Sequence, residues 1–168
     1  MPFSCKNSVC FQRLDKRHAQ AVHELEQSCF SMPWSEEQCR KAFTQPFFAA
    51  FGLMRGTRLV AYVSVYHTAS ELEILNLAVS PPERRRGLGR RTLDMVLQVA
   101  RKMGIERAIL EVRAGNSPAI SLYQNCGFVK VAVRPHYYSD TGEDALIYVC
   151  HLRSPSATGA DCAKNHSR

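Results

Sequence analysis

The segment Arg84-Arg85-Arg86-Gly87-Leu88-Gly89-Arg90 stands between an apolar run, Ile74-Leu75-Asn76-Leu77-Ala78-Val79, and a strongly periodic stretch that reads as a helix. A strand that runs into a glycine-containing turn and opens a helix is a device for holding phosphates. Unpaired backbone N–H groups at the helix start point outward, and the helix dipole favours negative charge there. Gly87 and Gly89 carry no Cβ, so a ligand can approach the backbone closely. Arg84, Arg85, Arg86 and Arg90 add positive charge around the same point.

Two familiar phosphate loops do not fit. A Walker A loop ends in Gly-Lys-Ser/Thr, which is absent. A dinucleotide fingerprint has a third small residue where Thr92 stands. The pattern Arg/Gln-x-x-Gly-x-Gly/Ala does fit, as Arg84-x-x-Gly87-x-Gly89 with Val79-Ser80-Pro81 leading in. Taken alone, the loop leaves open a basic helix start that binds nothing in particular.

A chain of 168 residues suits one domain with one sizeable core. No apolar run is long enough to span a bilayer. Met1-Pro2-Phe3-Ser4-Cys5-Lys6 lacks the apolar core of a signal peptide, so a cytoplasmic location is expected. The seven cysteines are scattered and form no Cys-x-x-Cys pair, and His18 and His23 lie off a common helix face. No metal is expected, and the thiols should be reduced. A net charge of +7 permits nucleic-acid contact. Apart from the arginine run, however, the basic residues are spread out, and no RNA-stacking motif or zinc finger accompanies them.

Periodicity and turn chemistry divide the rest. Residues 9–14 read as a strand. Asp15 is placed to N-cap a helix through about Cys29, with Ala19, Val22, Leu25 and Cys29 near one face. After Ser31-Met32-Pro33-Trp34, Ser35 and Gln38 form a capping box for a second helix, which ends at Gln45-Pro46. Residues 47–54, 59–66 and 71–79 read as strands, the last two antiparallel neighbours. A helix over 87–103 buries Leu93, Val96, Leu97 and Ala100, and Gly104 stops it. Residues 107–113 form a strand, and Ser117 caps a short helix that begins at Pro118 and ends before Gly127. Residues 128–134 and 145–152 are strands joined by a loop over 135–144. The order β-α-α-β-β-β-α-β-α-β-β predicts an α/β fold, a mixed sheet flanked by helices. Residues 1–153 are expected to form the single domain, and 154–168, small, polar and aperiodic, a disordered tail.

Further stretches follow the phosphate loop in order: Leu110-Glu111-Val112-Arg113-Ala114-Gly115-Asn116, Ala119-Ile120-Ser121-Leu122-Tyr123 and Cys126-Gly127-Phe128. Pro33-Trp34-Ser35 precedes them. Arg134-Pro135-His136-Tyr137-Tyr138 through Glu143-Asp144-Ala145 comes after. In this spacing, over roughly residues 9–152, the chain resembles the GNAT acetyltransferases, and within them the RimI-type N-terminal acetyltransferases. Those enzymes acetylate the N-terminal alanine of a small-subunit ribosomal protein. The resemblance implies the GNAT fold, acetyl-CoA as co-substrate and a ribosomal protein N-terminus as partner. It places the coenzyme pyrophosphate on the backbone of Arg85, Arg86, Gly87, Leu88, Gly89 and Arg90.

Acetyl transfer needs a neutral amine, so a base must remove a proton and an acid should protonate the leaving thiolate. By the resemblance Glu111 matches the base, acting through water, and Tyr123 the acid. As bare sequence features they read as a structural glutamate and a core tyrosine. Glu73, on the strand leading to the loop, is the rival base. Asn116 matches a residue that touches the cofactor, and otherwise reads as a turn or cap residue. Leu77, Ala78 and Val79 are expected to serve through backbone. They would pair with the pantetheine arm like an added strand, one N–H polarising the thioester carbonyl. The sheet is expected to splay after Val79, where Pro81 and Pro82 end pairing. Trp34 and Tyr138 sit in loops expected to flank an entering peptide, or else pack. Glu24, Glu26, Glu36 and Glu37 read as attractants for a basic peptide tail or as solvated helix faces.

Three alternatives remain compatible with these residues. One is a GNAT enzyme acting on a lysine side chain or a small-molecule amine. Another is a catalytically silent acetyl-CoA-binding module, against which the presence of both Glu111 and Tyr123 argues. The third is a nucleic-acid binder that uses its arginine run.

Overall fold

The computed structural model describes residues 8–152, so the tail expected at 154–168 lies outside the described residues. The strands are β1 (Cys10–Leu14), β2 (Phe48–Arg55), β3 (Arg58–His67), β4 (Glu71–Val79), β5 (Arg107–Arg113), β6 (Val129–Tyr138) and β7 (Glu143–His151). The helices are α1 (Ala19–Cys29), α2 (Glu36–Ala42), α3 (Leu88–Lys102) and α4 (Ser117–Asn125). This is the expected element order. All seven strands form one sheet in the order β1-β2-β3-β4-β5-β7-β6. Every adjacent pair is antiparallel except β4 and β5. That pair is joined through α3, and a crossover helix returns the chain in the same direction.

Both faces of the sheet are covered. Leu93, Val96, Leu97 and Ala100 of α3 pack against Ala108, Leu110 and Val112 of β5, together with Tyr148. On the opposite face Val22 and Leu25 of α1 and Cys39 and Ala42 of α2 pack against Ala50, Tyr62 and Ala78. Thr92 is fully buried and donates its hydroxyl to the Leu88 carbonyl at 2.8 Å. It is a core residue of α3, which explains why no glycine stands there. Among the described residues no helix is long and apolar enough to cross a membrane. Among the same residues no group of three or more His, Cys, Asp or Glu side chains is placed to hold a metal ion, and Cys10, Cys29, Cys39, Cys126 and Cys150 are free thiols.

Local signals act largely as expected. Ser35 and Gln38 form the capping box of α2. Asp15 caps a short 3-10 turn, Lys16–His18, that leads straight into α1. Gly104 adopts φ +80° after α3. Some boundaries differ, and α2 ends at Ala42, three residues short of Gln45-Pro46. Asn116, not Ser117, caps α4, because its side-chain oxygen reaches the Ala119 N–H at 3.3 Å. The loop expected over 135–144 is mostly strand. Pro135 is tolerated there because β6 is an edge strand and needs no N–H on its open side. A register shift between Arg134 and Tyr138, with His136 at φ +52°, absorbs the irregularity.

The splay of the sheet also lies elsewhere. β4 and β5 pair only from Glu71 to Ile74 against Arg107 to Leu110. β4 then continues to Val79 on β3 alone. The two strands therefore part after Ile74, five residues before the expected point. The cause is a bulge: Val65 pairs Ile74 and Ser64 pairs Asn76, which leaves Leu75 unmatched and increases the local twist.

Leu97 is 1 % exposed in the contact between α3 and the sheet. Leu97→Ala should cost about 2–5 kcal/mol of stability, read as a lower urea midpoint with an unchanged slope.

Candidate active site

Strand parting leaves backbone groups without a strand partner. Ser80 N–H donates to the Val60 carbonyl at 2.9 Å. Counting back along the register, Ala78 opposite Tyr62 is also a hydrogen-bonded pair, while Val79 opposite Ala61 and Leu77 opposite Val63 are not. The N–H and C=O groups of Leu77 and Val79 therefore face the gap beside β5, and those of Ala78 face β3. The Val79 carbonyl accepts from Arg84 Nε at 3.1 Å and from the Cys29 thiol at 3.3 Å. Leu77 keeps both groups turned into the gap.

The gap opens into a groove of about 710 Å³. Leu77, Ala78 and Val79 form one wall, the turn and start of α3 a second, and Asn116, Leu122 and Tyr123 a third. Of the residues expected to touch coenzyme, Arg85, Gly87, Leu88, Gly89, Arg90 and Asn116 all line it; Arg86 does not. Sequence reasoning missed the contributions of Cys29 and Phe30 from the end of α1, and of Glu83 and Pro118.

The loop itself is built for an anion. Gly87 is the N-cap of α3 in the left-handed region, φ +74°, and no side chain caps the helix. The first helical bond returns from Arg91 N–H to the Gly87 carbonyl, so the N–H groups of Leu88, Gly89 and Arg90 precede any intrahelical partner. Arg85 is also left-handed, φ +63°. The two left-handed residues, Arg85 and Gly87, flank Arg86 and turn the chain into the uncapped helix start.

The arginine run is not uniform. Arg86 Nη1 pairs with the buried Glu83 at 3.2 Å, and Arg55 pairs with the same carboxylate at 3.0 Å. Arg90 pairs with Asp94, and Arg91 donates to the Val9 carbonyl. Among the described residues Arg85 alone of the run has no side-chain partner, and it lines the groove.

Tyr123 is 7 % exposed, with its ring 5.9 Å from Phe128, and it forms part of the groove wall. Burial, with a smaller effect of Tyr138, pushes its phenol up to about 12, so it holds its proton at neutral pH. Glu111 lies on the other face of the sheet. Ala108, Leu110 and Val112 turn toward α3, so Glu111 alternates toward the side of α1 and α2. Its Oε1 accepts Arg134 Nη1 at 2.8 Å, and the Tyr137 hydroxyl hydrogen-bonds the same carboxylate, whose charge raises the Tyr137 phenol. Tyr137 is a site neighbour that sequence reasoning passed over. The sequence reading chooses Tyr138 of the pair; β6 instead places the Tyr137 ring at Glu111 and Tyr138 under the Arg113 guanidinium at 3.9 Å. Glu73 is exposed, one strand over and two residues earlier on the same face as Glu111. Trp34 is half-buried and packs on Phe48 at 6.3 Å between ring centroids. Glu73, Glu111, Trp34 and Tyr138 are not groove-wall residues.

Known proteins match this chain in sequence and in fold. Residues 19–128 match the family model of the acetyltransferase (GNAT) family. The chain belongs to that family. This GNAT enzyme is an acetyl-CoA-dependent N-acetyltransferase. It is 33 % identical over 129 residues to the [ribosomal protein bS18]-alanine N-acetyltransferase of Escherichia coli K12, covering 76 % of this chain and 86 % of the relative. It is 33 % identical over 143 residues to the N-alpha-acetyltransferase RimI of Mycobacterium tuberculosis, covering 82 % and 89 %. The crystal structure of the ribosomal-protein-S18-alanine N-acetyltransferase from Escherichia coli superposes with a TM-score of 0.83 at 28 % identity, covering 90 % of this chain and 99 % of that one.

An added Cβ at Gly89 meets Val79 Cγ2 at 3.4 Å and Leu122 Cδ2 at 3.5 Å, so alanine would just fit and a larger side chain would occupy the groove. Gly89→Val should weaken acetyl-CoA binding about tenfold or more, roughly 1.4 kcal/mol, by calorimetry. Unchanged affinity would remove the pyrophosphate from this loop.

Proposed function

We propose that this enzyme transfers acetyl from acetyl-CoA to the N-terminal α-amine of a protein, an alanine-initiated ribosomal protein of the bS18 class, in the cytoplasm. The observation that carries this reading is the gap after Ile74, with Tyr123 on one face of the sheet and Glu111 on the other. The coenzyme approaches on the α3–α4 side and the peptide on the α1–α2 side. The reacting atoms meet where β4 and β5 part.

The loop from Arg85 to Arg90 binds the pyrophosphate through backbone N–H groups and the Arg85 side chain. Leu77 pairs with the pantetheine amides, and its N–H donates to the thioester carbonyl oxygen, where negative charge develops in the transition state. Glu111 draws the proton from the entering ammonium through water, while Arg134 and Tyr137 hold its carboxylate in place. An α-amine has a pKa of about 8, against roughly 10.4 for lysine, so a carboxylate suffices near neutral pH. As the amine nitrogen bonds to the carbonyl carbon and the carbon–sulfur bond breaks, Tyr123 donates its phenolic proton to the departing thiolate and later regains one from solvent.

Tyr123→Phe keeps the ring packing and removes the hydroxyl. Turnover should fall about 10²–10⁴-fold while acetyl-CoA affinity holds. Because burial moves its titration upward, the wild-type rate should not decline between pH 9 and 10, roughly where an unperturbed tyrosine begins to ionise. A near-normal rate for the variant would make Tyr123 a packing residue and reopen the silent-module reading.

Mass spectrometry of an alanine-initiated peptide after incubation with acetyl-CoA tests the substrate class. Acetylation should occur at the free N-terminus and be absent from a blocked peptide that contains lysine. Efficient lysine modification of the blocked peptide would overturn the assignment. Glu111→Gln should slow the reaction mainly at neutral pH, with recovery at higher pH as the amine deprotonates unaided. A Glu73→Gln variant more impaired than Glu111→Gln would reassign the base.

A further inference from the structure

Helix α1 carries a carboxylate into the core. Glu26 is 0 % exposed, on the same face as Val22 and Leu25, not on the solvated face where Glu24 lies. A buried carboxylate persists only where donors surround it. Glu26 has three, each from a different part of the fold. Its Oε2 accepts the Trp34 backbone N–H at 2.6 Å, from the connection between α1 and α2. Its Oε1 accepts Asn76 Nδ2 at 2.6 Å from β4 and the Tyr62 hydroxyl from β3. Burial and the neighbouring Glu26 charge hold the Tyr62 phenol far above its ordinary range, so its proton remains available to donate.

Two of these partners sit at informative places. Trp34 is gripped at both ends of its backbone: the His23 ring donates from Nδ1 to the Trp34 carbonyl at 2.6 Å. His23 and Glu26 are one helical turn apart, so one face of α1 fixes the whole residue. The connection that ends at Trp34 starts at Phe30, in the groove wall. Asn76 is the residue directly after the bulge at Leu75, where β4 leaves β5. The carboxylate thus bridges the segment bordering the groove and the point at which the gap opens.

We infer that Glu26 is a positioning residue for the acceptor side of the site, holding the α1–α2 connection and the bulge of β4 in one fixed relation and so setting the width of the peptide entrance. This rests on the reading that the peptide enters on the Glu111 face. Stability alone does not require the arrangement, because an apolar side chain of similar volume often serves a core as well as a buried charge.

Trp34 is the only tryptophan in the chain, so its emission reports the connection directly. Glu26→Gln keeps the volume but offers one acceptor oxygen and turns an NH₂ donor toward other donors. His23→Ala, at a half-buried position, releases the Trp34 carbonyl and leaves the three Glu26 bonds in place. Glu26→Gln should raise the KM for an alanine-initiated peptide roughly tenfold or more and shift Trp34 emission to longer wavelength. Its acetyl-CoA affinity and its turnover at saturating peptide should stay within about twofold. His23→Ala should move the same two readouts in the same direction by less. A folded Glu26→Gln with wild-type peptide KM and emission would overturn the inference, as would equal weakening of peptide and coenzyme. If Glu26→Gln does not fold, His23→Ala decides on the same readouts: a raised peptide KM with shifted emission supports the clamp, and wild-type values remove it. Failure of the wild-type enzyme to acetylate any peptide N-terminus would defeat the functional reading and the acceptor role together. Normal wild-type turnover with unaltered variants would defeat the role of Glu26 alone.

Discussion

Two neighbouring parallel strands that share only four register pairs must separate, and in this fold the separation of β4 from β5 after Ile74 is the constraint on which the site depends. Backbone N–H and C=O groups inside a sheet are ordinarily all paired. Here the bulge at Leu75 turns the rest of β4 away from β5 while β3 continues to hold it to Val79. Leu77 and Val79 are left with polar groups facing a groove instead of a strand. In the proposed reaction the same parting is where Tyr123 of α4 and Glu111, on the opposite face of β5, act together.

The remainder of the site is a set of devices that keep this opening in shape. At one end, Glu83 ties Arg55 and Arg86 beneath the phosphate loop. Left-handed residues at Arg85 and Gly87 aim the uncapped start of α3 into the groove. At the other end, the buried Glu26 joins α1, β3 and β4. Both anchors place a carboxylate in the interior, surrounded by donors. Such an arrangement is costly to break on one side, and this gives the loop before α3 and the acceptor side of the parting each a single geometry.

Charge near the proposed reaction point is similarly partitioned. Glu111 is engaged by Arg134 and Tyr137, and Arg113 by Asp140 and the Tyr138 ring. These contacts place β6, whose residues are mostly exposed, beside the carboxylate that the proposed reaction uses as base. Glu36 and Glu37, which a sequence reading can assign to peptide attraction, are paired with Arg40 and Lys41 one turn on along α2.

Element order, the capping box at Ser35, the stop at Gly104 and the buried stripe of α3 were legible in the sequence because each depends on residues within one or two turns of chain. The strand–turn–helix context of the loop at 84–90 was legible for the same reason: strand, glycines and helix start are contiguous. Sequence alone could not separate the members of the arginine run, since their partners Glu83, Asp94 and the Val9 carbonyl are chosen by the fold. Nor could it locate the splay, which follows from a two-against-one register between β3 and β4 and has no local signature. Glu26 and Glu24 are both glutamates on one amphipathic helix. Only the packing of α1 against Tyr62 and Asn76 decides that the first is an interior anchor and the second a surface residue, because helix phase sets which side chain faces inward and only tertiary contact supplies the donors that let a carboxylate remain there.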